Sequence, residues 1–173
     1  MLFRSASASF CIDLYDTDVN FWNGNTWADR SIAFPSAEGI LPGLEGLAGA
    51  ASCVSRTFCA ASGTANPTPL LWNGHSWTVS QTAGGGGLPQ QFEISCASRT
   101  LCQAVLSGGY VATWNGKVWS GPALVGSPVQ NVSCSYTGWC MALSSQGYAY
   151  TYASNGGSAG PSTGATAAEA AIA

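Results

Sequence analysis

Charge is the scarcest commodity in this sequence. Five Lys and Arg and eight Asp and Glu make up only 8% of 173 residues, where about 25% is usual for a soluble domain. The small net charge of −3 excludes the basic surface that nucleic acid or an anionic membrane would require. No apolar run approaches the roughly 20 residues of a spanning helix. The opening MLFRSASASFC lacks the apolar segment of a secretory signal. Catalytic equipment is thin as well. There is one histidine, His75, and the only arginines are Arg4, Arg30, Arg56 and Arg99. No Gly-x-Ser-x-Gly is present. AGGGGLPQ at 83–90 lacks the Lys-Ser/Thr of a phosphate loop and reads as a flexible connection.

What is abundant is glycine, 22 residues, with seven tryptophans and seven cysteines. These fall into a repeat. FWNGNTW (21–27), LWNGHSW (71–77) and TWNGKVW (113–119) are variants of one phrase. A second phrase precedes each, SCVSRTFCAA (52–61), SCASRTLCQA (95–104) and the worn copy RSASASFCID at 4–13, and recurs as SCSYTGWCMA (133–142). Cys11, Cys59, Cys102 and Cys140 are 48, 43 and 38 residues apart. A drifting period near ~40–50 without helical pattern fits four-stranded propeller blades. QFEISC, LCQAVL, GYVATW and KVWS (91–96, 101–106, 109–114, 117–120) are strand signals bounded by Gly, Ser and Pro.

The expected fold is therefore all-β, a β-propeller of about four repeats with four-stranded antiparallel blades. The repeats are placed at 1–46, 47–90, 91–128 and 129–153, followed by a low-complexity Gly/Ser/Ala tail, 154–173, expected to be disordered. The fourth repeat stops after its third strand, GYAYTY (147–152), with no WNG turn. The expectation is an incomplete last blade, in a fragment of a larger propeller or a small ring.

Asn-Gly between extended runs predicts a two-residue type I′ hairpin. Centring it on Asn115-Gly116 pairs Trp114 with Lys117 and makes Trp114 and Trp119 diagonal neighbours on one face. Trp22 with Trp27 and Trp72 with Trp77 follow suit. These six indoles either pack blade on blade or offer an exposed surface that stacks on sugar rings. They are the binding candidates.

Cys53/Cys59, Cys96/Cys102 and Cys134/Cys140 each enclose five residues. Three separate pairs suit disulfides across strand-turn-strand corners better than zinc, which gathers four ligands in one place. Cys11 is left over because Ser5 replaces its partner; it is a buried thiol or an intermolecular link. Disulfides imply an oxidising, extracellular or cell-envelope location.

The combined pattern SCxSxxFCxA…G…TWNGxxWS resembles the secreted bacterial β-propeller repeats of the BNR/Asp-box type, and in particular the photosystem-II-assembly-factor-like repeat. The resemblance covers residues 4–152. Trp22, Trp72 and Trp114 stand where the Asp-box carries Asp, which removes its Asp-mediated turn network. The resemblance implies a binding or scaffold part of a larger exported protein. Sialidases share the repeat, but their chemistry needs an arginine cluster with Tyr and carboxylates.

No catalytic residue, resident metal or cofactor is expected. Arg56 and Arg99 hold the same place in two corners and read as solvated loop charges. His75 reads as an exposed hairpin residue. Asp16, Asp18 and Asn20 alternate as calcium ligands can, but without the Gly and Glu of an EF-hand loop. Asn131-Val132-Ser133 has the form of a glycosylation sequon. The favoured reading is an extracellular, non-catalytic module that recognises a glycan or a protein, with association to complete the ring. The alternatives are a structural scaffold and a sialidase-like hydrolase.

Overall fold

The structure is a computed structural model and describes residues 2–15, 18–30, 50–62, 69–85, 88, 91–125 and 128–153. Asp16, the whole 31–46 connection and the 154–173 tail lie outside the described residues, as do the side chains of Arg4, Asp18 and Arg30.

The chain forms four antiparallel sheets in sequence order. The first contains β1 (Leu2–Ser7), β2 (Phe10–Tyr15), β3 (Asp18–Trp22) and β4 (Trp27–Arg30). The second contains β5 (Ala50–Ser55), β6 (Phe58–Ser62), β7 (Leu70–Trp72) and β8 (Trp77–Val79). The third contains β9 (Gln91–Ser98), β10 (Leu101–Leu106), β11 (Tyr110–Trp114) and β12 (Ala123–Leu124). The last has three strands, β13 (Val129–Ser135), β14 (Trp139–Ser144) and β15 (Ala149–Ala153). Each sheet is a meander, so each is one blade. The first strands of successive blades adjoin: β1 with β5, β5 with β9 and β9 with β13. This is a β-propeller run, with three strands of the last blade among the described residues.

Alternation along each strand assigns one set of side chains to the following blade, here called the front, and the other to the preceding blade, the back. Phe10, Ile12, Val19 and Phe21 of blade one meet Ala51, Cys59, Ala61, Leu70, Trp72 and Trp77 of blade two in one core cluster. Phe58 and Ala60 then meet Cys102, Ala104, Trp114 and Trp119 of blade three. Val105 and Val111 meet Val132 and Ala142 of blade four. Blades carry no independent core. Each buries its apolar area against its neighbours, as in other repeat proteins.

The cysteine expectation is met. Cys53–Cys59, Cys96–Cys102 and Cys134–Cys140 are disulfide-bonded. The five-residue spacing works because each pair sits directly opposite across the first two strands of a blade. Their Cα atoms are 4.0, 3.9 and 3.9 Å apart. In blade one Ser5 faces Cys11 in this register. Cys11 is in no disulfide and is buried; its thiol lies 3.7 Å from the Ser7 carbonyl, to which it donates.

Three expectations need correction. The WNG turn is centred one residue later than predicted: Trp22 lies directly opposite Trp27, Trp72 opposite Trp77 and Trp114 opposite Trp119. The cause is the asparagine side chain. Asn115 Oδ1 accepts the backbone N–H groups of Lys117 and Val118, both at 3.0 Å, and Asn23 and Asn73 do the same in their loops. It thereby takes the second of the two bonds that a two-residue hairpin would close with backbone alone. Next, KVWS is not a continuous strand. Trp119 makes isolated bridges, and pairing resumes only at β12, beyond Gly121 and Pro122, where proline has no N–H to give a ladder. Finally, the described part of the 80–90 connection is held in place. Thr82 bridges to Trp119, the Trp119 N–H donates to Gln81 O at 2.8 Å, and Leu88 is buried among blades two and three.

Candidate functional site

The WNG tryptophans are positioned by two contacts. Within a blade, the indole N–H of Trp22, Trp72 and Trp114 donates to the carbonyl of Ala8, Arg56 and Arg99 respectively, each at 3.0 Å. These carbonyls lie in the turn between a blade's first two strands, so the two turns at that end are tied together. Between blades, the pair packs on the front of the preceding blade; Trp72 lies 5.0 Å from Phe21, centroid to centroid. Trp72, Trp77, Trp114 and Trp119 are accordingly buried. Four of the six candidate indoles cannot meet a sugar while the blades are stacked.

The pair in blade one is different. Trp27 is 46% exposed against 2% for Trp77 and 0% for Trp119, and Trp22 is half-buried. Their rings are 5.6 Å apart, as in the second blade. The pair keeps its geometry at the back of the first blade. On the same face Asp13 and Asn20 stand opposite each other where blade two has Ala61 and Leu70.

Among the described residues no blade lies in front of blade four. Its middle strand alternates, with Cys140, Ala142 and Ser144 buried toward blade three and Trp139, Met141 and Leu143 pointing forward. Trp139 is 39% exposed and Leu143 45%. Trp139 occupies the position of Phe58 and Leu101, one residue before the second cysteine of each corner. A polar element repeats alongside. Ser52 Oγ accepts the Cys96 N–H at 3.0 Å, and Ser95 Oγ accepts the Cys134 N–H at 2.9 Å. Each is the serine before the first cysteine of its blade, and each binds the backbone of the next blade. Ser133 is the same serine in blade four, and it is exposed on the front face. Glu93, whose carboxylate accepts the Val132 N–H at 3.1 Å, has its equivalent in exposed Asn131. The front of blade four thus displays the set of groups that elsewhere in this chain hold a following blade.

Arg56 and Arg99 are more than the solvated charges expected. Arg56 Nη2 donates to the carbonyls of Ser9 at 2.7 Å and Asn23 at 3.1 Å in blade one. Arg99 Nη2 donates to Thr57 O at 2.8 Å in blade two, and its guanidinium lies 5.9 Å above the Phe58 ring. Each arginine stitches its corner to the one before it. The signal available in sequence was their identical repeat position; what they reach depends on blade stacking. His75 is exposed, its backbone N–H bound by Asn73. Arg56, Arg99 and His75 each sit in a different loop. Among the described residues, no group of three His, Cys, Asp or Glu side chains is placed to hold a metal ion, and no helix is long and apolar enough to cross a membrane.

No protein-family model matches the chain, and no curated protein does. Solved structures do. A structure of YCF48 bound to D1 peptide is 15% identical with a TM-score of 0.58, over 90% of this chain and 50% of that one. The computationally designed Ika8 protein is 10% identical with a TM-score of 0.58, over 85% of this chain and 43% of that one. The likeness is one of fold, the β-propeller, and this chain spans half or less of the length of either structure.

Proposed function

We propose that this chain is a protein-recognition and assembly module, a run of propeller blades whose ligand is protein and whose principal contact is the front of blade four. The observation that carries the proposal is the set Ser133, Trp139 and Leu143, all exposed, with half-buried Met141 between the last two, standing where the two internal copies grip another blade. An exposed patch of this composition marks a protein contact. The similar structure of YCF48 holds a D1 peptide, which supports protein as the ligand class.

The proposal includes an association that completes the ring, since Trp22 and Trp27 are the pair that packs on a preceding blade in blades two and three. Asp13 and Asn20 confine that match to the aromatic corner. It also keeps the repeat's likeness to the BNR/Asp-box type, a non-catalytic role and an extracellular or cell-envelope location, which three disulfides support. Glycan binding is the second reading, now resting on Trp22 and Trp27 alone. The test combines three assays on oxidised protein. The expected results are no glycan-array hit, no turnover of a fluorogenic glycoside, and concentration-dependent sedimentation that Leu143→Glu abolishes. An array hit lost in Trp27→Ala replaces this reading with a lectin-like one, and turnover replaces it with hydrolysis. A chain still monomeric near ~100 μM, well above the micromolar range of many specific contacts, removes the self-complementary front.

A further inference from the structure

The three WNG loops each present an exposed asparagine followed by glycine, and their surroundings differ. We propose that Asn23 is a site of self-modification, where the chain converts its own asparagine to a succinimide and then to aspartate or iso-aspartate, ahead of Asn73 and Asn115. The proposal goes beyond protein recognition and is independent of what the module binds.

The reaction begins at the peptide group. The Gly24 N–H gives its proton to hydroxide, and its nitrogen forms a bond to Asn23 Cγ. The Cγ–Nδ2 bond breaks and ammonia leaves, its added proton drawn from water through a neighbouring hydroxyl, which restores the hydroxide. Water then opens the ring at either carbonyl, giving aspartate or iso-aspartate. Glycine suits the ring closure because it has no Cβ to crowd the attacking nitrogen. Three features set the rate: the acidity of the glycine N–H, stabilisation of charge on Oδ1 as the tetrahedral carbon forms, and a proton for the departing nitrogen.

All three loops supply the charge stabilisation. Asn23 Oδ1 accepts the Asn25 and Thr26 N–H groups at 2.9 Å each. Asn73 Oδ1 accepts those of His75 and Ser76, also at 2.9 Å, and Asn115 is bound likewise at 3.0 Å. Paired backbone donors on an amide oxygen act as an oxyanion hole. Two loops supply the proton. Asn23 Nδ2 donates to Thr26 Oγ1 and Asn73 Nδ2 to Ser76 Oγ, both at 3.2 Å, so a hydroxyl stands at the leaving nitrogen. In the third loop that place belongs to Val118. Among the described residues, the first loop alone supplies the acidity. Arg56 Nη2 donates to Asn23 O at 3.1 Å. That carbonyl shares a peptide group with Gly24 N, and the charge left when the N–H is lost spreads onto the oxygen by resonance. A guanidinium bonded there favours the nucleophilic anion. Arg99, the equivalent arginine, reaches Thr57 O, which corresponds to Ser9 O, the other acceptor of Arg56. The corner after the third loop, SCSYTGWC (133–140), has no arginine. Crowding points the same way: Gly24 is exposed, and Gly74 and Gly116 are half-buried. Aspartate at position 23 keeps the oxygen that holds the loop. Iso-aspartate adds a methylene to the backbone and shifts the carbonyl that Arg56 grips, which loosens the seam between blades one and two.

The test incubates the full oxidised chain at mildly alkaline pH and follows each Asn-Gly peptide by proteolysis and mass spectrometry. Asn23 is expected to convert fastest and Asn115 slowest. In urea with reductant, where the three sites share little but the Asn-Gly pair, the spread is expected to narrow. Arg56→Ala is expected to slow Asn23 roughly tenfold, the effect of removing about 1.4 kcal/mol from the transition state, and to leave Asn115 unchanged. That variant also weakens the blade seam, so a gain in the third loop gives an independent reading. Val118→Thr places a hydroxyl at the leaving nitrogen and is expected to speed Asn115 several-fold at an unchanged melting temperature. If the hydrogen bonds merely hold the side chain still, every sign inverts: Asn115 reacts first, Arg56→Ala speeds Asn23 and Val118→Thr slows Asn115. An inverted order, three equal rates, an Asn23 rate that Arg56→Ala does not lower, an Asn115 rate that Val118→Thr does not raise, or no conversion in the folded chain overturns the proposal.

Discussion

Replacing Gly116 with alanine separates two reasons for the glycine of the WNG phrase. The first is conformational, since Gly116 has φ +91°, which an L side chain rarely adopts. The second is contact: a Cβ there would lie 2.9 Å from Thr100 Cγ2 and 3.3 Å from Thr100 Cα. Gly84 isolates the first, with φ +89° and nothing within 4 Å of its added Cβ. The conformation costs about 2 kcal/mol and the overpacking about 2 kcal/mol more. At roughly 3 °C per kcal/mol for a chain of this size, Gly84→Ala lowers the melting temperature by roughly 6 °C and Gly116→Ala by roughly 12 °C. Gly24 meets nothing nearer than 3.2 Å, because Ser9 stands in place of threonine; Gly24→Ala falls between. Thr100→Ser deletes the offending methyl while keeping the hydroxyl near Ser98 Oγ, 3.2 Å away. In the Gly116→Ala background it should recover part of the loss, a coupling that a double-mutant cycle reads directly. Equal costs for Gly84→Ala and Gly116→Ala, or no recovery with Thr100→Ser, would refute the argument that the loop is pressed against the neighbouring turn.

Reductant should lower the melting temperature by several degrees per bridge, since each short closed loop contributes about 2 kcal/mol in the chain-entropy model; calorimetry with and without dithiothreitol checks it. Titration of the unreduced chain should count one thiol, reacting only on unfolding because Cys11 is 7% exposed; seven thiols would remove the basis for the extracellular location. Arg99→Ala should cost about 1–2 kcal/mol, the range for a charge-assisted hydrogen bond together with ring contact, measured by urea unfolding. Burial raises the Tyr152 hydroxyl above its ordinary value of 10.0. The unfolded chain then ionises first, so stability is full below pH 10 and falls as pH rises through the folded value. Spectrophotometric titration against Tyr152→Phe should show that loss flattened in the variant.

The repeat was legible because its spacing survives in residues that few other roles demand. Cys-x5-Cys reports a cross-strand pair, and Trp-Asn-Gly reports a hairpin. The register of that hairpin was not legible. Whether asparagine's own amide or its backbone closes the turn is a competition decided by geometry, and the side chain wins in all three loops. The arginine stitches escaped for a related reason: their partners are carbonyls 33 to 47 residues away, and carbonyls leave no mark in a sequence.

Local chemistry thus determined the strands, the turns, the disulfide corners and the count of blades, since these depend on neighbours within a few residues. Stacking decided the rest. Trp77 and Trp27 belong to the same phrase, yet Trp77 is sealed against the blade before it and Trp27 is half exposed. Leu143 and Ser133 are apolar and polar residues of ordinary kind until their place on an uncovered front makes them candidates for contact. A repeat writes the same residues into every blade; which copies are covered depends on which blades pack together, and that is a property of the assembled structure.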